Sequence, residues 1–191
     1  MRVILVFGFL FVAACGGSSG GGGILADRNT QAEMLEDVVL GDEVSNPDKL
    51  PDDGTANYTG FMTAHLPTGD DGARSGYIGD LQMAVDFSAE RNQVSGRARN
   101  FANNDGLALD GKLRLRGGDL FRDTDPDDNY TFTGNVDGRL SADGDTYDID
   151  ARIEGEFRGR RQNGVSGLLF GDVTGPFGQD IFDGDFVAVK D

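Results

Sequence analysis

From Thr55 onward, apolar and polar residues alternate in short runs separated by clusters of Gly, Asp and Asn. A period of two puts alternate side chains on the same face of an extended strand, and a regularly apolar face has to be covered. Eight runs are expected as strands, at about 55–66, 76–87, 92–101, 107–116, 129–141, 145–158, 163–173 and 180–190. In the fourth, Leu107, Leu109, Leu113 and Leu115 are expected to face the core, with Asp110, Lys112, Arg114 and Arg116 in water. In the sixth, Tyr147, Ile149, Ala151, Ile153 and Phe157 alternate with Asp148, Asp150, Arg152, Glu154 and Glu156. Tight polar turns and one wet face describe antiparallel strands, so the fold class is all-β.

Nearly every run carries a glycine near its middle: Gly60, Gly79, Gly96, Gly111, Gly134, Gly138, Gly155, Gly167 and Gly184. Strand glycines weaken a flat sheet and are expected where a sheet bends sharply or backbones come close, as at the corners of a small barrel. Eight strands close into a barrel whose interior is filled by side chains or holds one small ligand. The expectation is an eight-stranded antiparallel soluble β-barrel over 55–191, with a Greek-key β-sandwich as the alternative. A membrane-spanning barrel would need an apolar outer band with aromatic girdles. The chain has no Trp and ends on Val189-Lys190-Asp191.

The first residues have another logic. Met1-Arg2 precedes an uncharged apolar run, Val3 to Ala14, with the form of a secretory signal; it is too short to span a bilayer. Val12-Ala13-Ala14-Cys15 resembles the lipobox of bacterial lipoproteins, which implies cleavage between Ala14 and Cys15 and a diacylglyceryl group on the Cys15 thiol. More than one acyl chain makes such an anchor lasting. Gly16 follows instead of an aspartate, which points to the outer membrane; whether the head faces the cell surface or the periplasm is left open. Cys15 is the only cysteine, so the domain has no internal disulfide. Residues 16–23 are Gly and Ser only and are expected as a flexible tether. Within 24–54, a short amphipathic helix is expected from a capping Thr30 to Leu40, using Met34, Leu35, Val38 and Val39, before Pro47 and Pro51 interrupt regular structure. The rest reads as extended spacer. The domains are thus 1–14 signal peptide, 15–54 lipidated Cys with tether and spacer, and 55–191 barrel.

The chain after residue 14 holds 16 basic and 33 acidic residues, a net charge of −17. That excess argues against nucleic acid and against a flat seat on anionic headgroups, both of which use Lys/Arg clusters. It suits a solvated head or a basic partner.

Gly164-Val165-Ser166-Gly167-Leu168-Leu169-Phe170-Gly171, then Gly175-Pro176-Phe177-Gly178-Gln179-Asp180 and Gly184-Asp185-Phe186, resemble the closing motif of the transferrin-binding protein B type barrel. Ala56-Asn57-Tyr58-Thr59-Gly60 resembles that family's opening strand, and Asp86-Phe87 with Val94-Ser95-Gly96 its second and third. The matching positions are Tyr58, Gly60, Phe87, Gly96, Gly167, Phe170, Gly171, Gly175, Pro176, Gly184 and Phe186. Asp172-Val173-Thr174 departs from the pattern as an insertion before the Gly-Pro turn, and the family's second lobe and handle domains have no counterpart. The resemblance implies an outer-membrane lipoprotein, a single barrel whose loops take a macromolecule, haem or an iron carrier, in iron acquisition or host-protein capture. The contrasting reading is a structural or envelope-interaction lipoprotein without a small ligand.

Catalytic chemistry finds little to work with. His65 is the only histidine and falls on an exposed phase of the first strand, so a surface role is expected for it, and neither a zinc cluster nor a Ser-His-Asp set is expected. The run from Asp123 to Asn129 has calcium-like carboxylates but lacks the central glycine, and its twelfth position is Gly134 where a bidentate Glu is needed, so a solvated loop is expected. No cofactor beyond the covalent lipid and no enzymatic activity is expected. Phe101, Phe121, Phe177 and Phe182 fall near strand ends, where aromatics either anchor a partner or plug the barrel.

Overall fold

A computed structural model describes residues 21–69, 71–125 and 129–191, with side chains from Arg28 on. The signal run, Ala14, Cys15 and residues 16–20 lie outside the described residues. A helix, α1 (Gly21–Leu40), and one short 3-10 turn (Pro47–Lys49) precede eight strands. These are β1 (Thr55–Pro67), β2 (Arg74–Asp86), β3 (Val94–Ala102), β4 (Ala108–Leu120), β5 (Phe132–Ala142), β6 (Asp145–Arg158), β7 (Gly164–Gly175) and β8 (Gly178–Lys190). Each pairs antiparallel with the next, and β1 pairs with β8 from Tyr58 opposite Lys190 to His65 opposite Asp183. The sheet is therefore a closed meander barrel, which leaves no free edge and rules out the sandwich.

The inward positions are apolar and sealed: Tyr58, Phe87, Phe132, Phe157 and Phe186 form one aromatic series, with ring centroids of Phe132 and Phe157 5.3 Å apart and of Phe87 and Phe157 6.0 Å apart. Phe101 and Phe182 are also fully buried, whereas Phe121 and Phe177 stay exposed, so the aromatics near strand ends divide between plugging and display. Outward positions such as Arg97, Lys112, Arg114, Asp148 and Asp150 are exposed and charged. Apolar inside and charged outside is the inverse of a membrane-spanning barrel.

Several boundaries differ from the sequence pattern for identifiable reasons. Strand β4 continues past Arg116 because a bulge at Gly117 (φ +60°) lets the pairing with β5 shift between Arg116 and Asp119. Leu107, expected in the core phase of that strand, lies before its start in the turn following β3 and is exposed. Asp172-Val173-Thr174 forms no loop: all three pair with β8, Val173 is buried, and Pro176 and Phe177 alone make the connection.

The segment before the barrel packs on it from residue 28 onward. The helix starts at Gly21, within the last part of the Gly/Ser run, and Thr30 lies inside it and does not cap it. Its inner stripe is Arg28, Ala32, Leu35 and Val39, at helical spacing, and Val39 packs against Gly164. Met34 and Val38 sit about 100° round from that stripe and are exposed. Residues 41–54 do not hang as a spacer; they strap one end of the barrel. The Ser45 amide donates to the Phe157 carbonyl at 2.8 Å, Val44 bridges Arg158, and Leu50 is buried in the core. Arg122 clamps the strap by donating to the carbonyl of Leu50 at 2.9 Å and to that of Pro51 at 2.5 Å.

Candidate functional site

Strands β7 and β8 make a wall whose outward side chains are set by the period of two. In β7 these are Ser166, Leu168, Phe170 and Asp172; in β8 they are Ile181, Asp183, Asp185 and Val187. The register puts Leu168 opposite Asp185, Phe170 opposite Asp183 and Ile181 opposite Asp172. Phe170 and Ile181 are thus diagonal neighbours, about 7–8 Å apart at this position in a sheet. Their exposures are 50% for Leu168, 43% for Phe170 and 64% for Ile181. Val187, in the same outward phase, is buried because α1 lies over it. Exposed Leu40 at the end of α1 lines a depression of about 260 Å³ together with Leu168, and exposed Phe177 sits in the turn that joins the two strands. An apolar stripe runs along the wall, rimmed by Asp172, Asp183 and Asp185. Aromatic and aliphatic groups rimmed by charge describe a protein-contact surface.

Polar contacts tie this wall to β1 and β2. Asp183 accepts from His65 Nδ1 at 2.8 Å and is ion-paired with Arg74, whose guanidinium also donates to the carbonyls of His65 and Ile181, each at 2.8 Å. His65 therefore ties β1, β2 and β8 together. On the other flank, Arg152 lies opposite Phe170 and Glu154 opposite Leu168.

The family-pattern positions do not gather into one pocket. Tyr58, Phe87 and Phe186 are core rings, and Tyr58 Oη donates to the Gln162 carbonyl at 3.0 Å. Gly60, Gly96, Gly167, Gly171 and Gly184 each lie close against a neighbouring strand. Gly175 and Pro176 shape the β7–β8 turn, and Phe170 alone points out. Leu168 and Ile181 escaped the sequence reading, although the unbroken triplet Leu168-Leu169-Phe170 signals that an alternating strand has apolar groups on both faces.

Burial holds the Tyr58 phenol far above its ordinary pKa and raises those of Tyr77 and Tyr147. Asp148 is held below the usual carboxylate range by the Arg139 guanidinium, which donates to it at 2.7 Å and 3.0 Å, and Asp86 by hydrogen bonds from Ser88. Among the described residues, no group of three or more His, Cys, Asp or Glu side chains converges as a metal site. Part of the Asp123–Asn129 run lies outside the described residues. No helix among the described residues is long and apolar enough to cross a membrane.

Comparison with family models and with curated proteins gives no match. Among solved structures, the chain is similar to a point mutant of the vaccine antigen transferrin-binding protein B from Haemophilus parasuis Hp5, with 18% identity and a TM-score of 0.49. The similarity covers 78% of this chain and 29% of that one, so this chain spans less than a third of the protein it matches.

Proposed function

We propose that this chain is an outer-membrane lipoprotein, anchored through Cys15, that works by binding and not by catalysis, and that its barrel holds a macromolecular partner on the outer wall of β7 and β8. The observation that carries this reading is the exposed apolar stripe of Leu168, Phe170 and Ile181 on a barrel whose other outward positions are largely polar. A solvated head with no partner has little use for three large apolar groups side by side. The carboxylates of Asp172 and Asp185 beside them select a partner with a basic rim, since complementary charge speeds and orients encounter. A haem or iron carrier would also have to dock on the outside or at an end, because the interior is occupied by the aromatic series.

The test uses the mature chain beginning at Cys15, immobilised and exposed to host extracellular proteins and to envelope extract. A partner retained by the wild type and lost on Phe170→Asp or Ile181→Asp, with unchanged circular dichroism, supports the reading. Retention unaffected by both substitutions places the contact elsewhere. Intact mass of the protein from its native membrane tests the anchor separately: a diacylated Cys15 terminus is expected, and a chain starting at Met1 contradicts it.

A further inference from the structure

Strands β3 and β4 present the opposite wall, and there the charge reverses. Arg97 and Arg99 project outward from β3, and Lys112, Arg114 and Arg116 from β4, all exposed. The register sets Arg97 directly opposite Arg114 and Arg99 directly opposite Lys112. Like charges facing each other across a strand pair destabilise a sheet, and here two such pairs are adjacent in a chain of net charge −16.

Nearby carboxylates relieve this only in part: Asp137 lies opposite Arg114 across β4 and β5, but its ion pair is with Arg116. Arg97 binds the neutral Gln82 amide, donating from Nε at 3.0 Å and Nη2 at 2.7 Å, and Arg116 reaches Asp137 at 3.3 Å. Arg99, Lys112 and Arg114 take part in no ion pair among the described residues. Asp80, which faces Arg99 from β2, is already engaged by Arg28 at 3.2 Å and by Asn100 at 2.7 Å. Arg28 and Asp80 thus cancel at the edge of the ridge and leave Arg99 unpaired. A groove of about 490 Å³ runs across this wall, and Arg97, Arg114 and Arg116 stand along it with one carboxylate, Asp191, which accepts from Thr59 Oγ1 at 2.7 Å.

The position of the ridge suggests its occupant. Arg28 on α1 also donates to the Asn100 carbonyl at 2.5 Å, and Asn29 bonds Asn104 in the turn between β3 and β4. The N-terminal half of α1, on the side from which the chain leads back to Cys15, is therefore fastened beside the basic wall at Arg28 and Asn29. We infer that the outer face of β3 and β4 is a seat for anionic phospholipid headgroups, on which the anchored barrel lies with its β7–β8 wall turned away from the membrane. This rests on the lipid-anchor reading for its orientation, but the seat itself does not need the lipid. Whole-chain charge argued against such a seat; the register overrides it, because screening confines electrostatics to about 10 Å at ordinary ionic strength and what matters is the charge within that distance.

The test is flotation of the mature chain carrying Cys15→Ser, and so unlipidated, with vesicles of phosphatidylcholine alone or mixed with phosphatidylglycerol. Binding is expected only to the anionic vesicles and is expected to fall steeply with added salt. Each seated cation contributes about fivefold, so Arg99→Gln, Lys112→Gln and Arg114→Gln together should weaken binding about 100-fold. The same triple variant should unfold at higher denaturant than wild type, since it removes like-charge pairs; this separates a loss of seat from a loss of fold. Equal flotation with neutral and anionic vesicles, anionic binding untouched by the triple variant, or a stronger preference for duplex DNA than for phosphatidylglycerol would each overturn the seat. None of these results depends on whether Cys15 is lipidated in the cell.

Discussion

At Gly184, β8 passes so close to β1 that a Cβ would lie 2.0 Å from the Thr63 carbonyl oxygen; at Gly60 one would lie 2.1 Å from that of Val187. These two glycines let the first and last strands meet and close the barrel. Gly184→Ala is expected to destabilise the fold by about 1–3 kcal/mol, the usual cost of overpacking, read as a lower guanidinium midpoint. Exposed Leu168→Ala should stay within about 0.5 kcal/mol of wild type. The recurrence of strand glycines was legible in the sequence. Which backbone each one faces was not, because that depends on register between strands, which for Gly60 and Gly184 lie more than a hundred residues apart. Tyr58 supplies a second test. Burial raises its folded pKa above the unfolded value, so its contribution is complete below about pH 10 and fades as pH climbs past that value. Stability should therefore fall above about pH 10, and tyrosinate absorbance near 295 nm should rise together with unfolding. Tyr58→Phe should cost about 1 kcal/mol at neutral pH, by leaving the Gln162 carbonyl unpaired, while making the alkaline fall shallower.

The helix and strap carry a claim of their own, since residues 28–54 act as part of the head and not as slack. Leu50→Ala should cost about 2–4 kcal/mol, as for other buried leucines. A chain starting at residue 55 should melt about 10 °C or more below one starting at residue 28, because it loses the burial of both Val39 and Leu50. Equal melting temperatures would return this segment to the role of a spacer. Periodicity located all eight strands and part of the helix, because a repeating face is a local signal. The strap escaped because its contacts are single residues, such as Ser45 on the Phe157 carbonyl and Leu50 under the Arg122 clamp, with no repeat to detect.

Over the whole molecule, the closed order of eight strands sets β3–β4 and β7–β8 on opposite sides of one barrel, one basic and one apolar with an acidic rim. Net charge conceals this division, since a sum over the chain is blind to which strands become neighbours. The alternating Lys and Arg of β4 were visible in the sequence, but their alignment with Arg97 and Arg99 follows only from the pairing. Closure has its own check: amides of β1 from Phe61 to Ala64 should exchange as slowly as those of β6, which an open sheet edge would not allow. The division of labour between the walls is tested most directly by placing a photo-crosslinking residue at Ile181 or at Arg114 in the anchored protein on intact cells. Protein adducts from position 181 with lipid adducts from position 114 are the predicted result. Protein adducts from 114 with none from 181 would contradict the account.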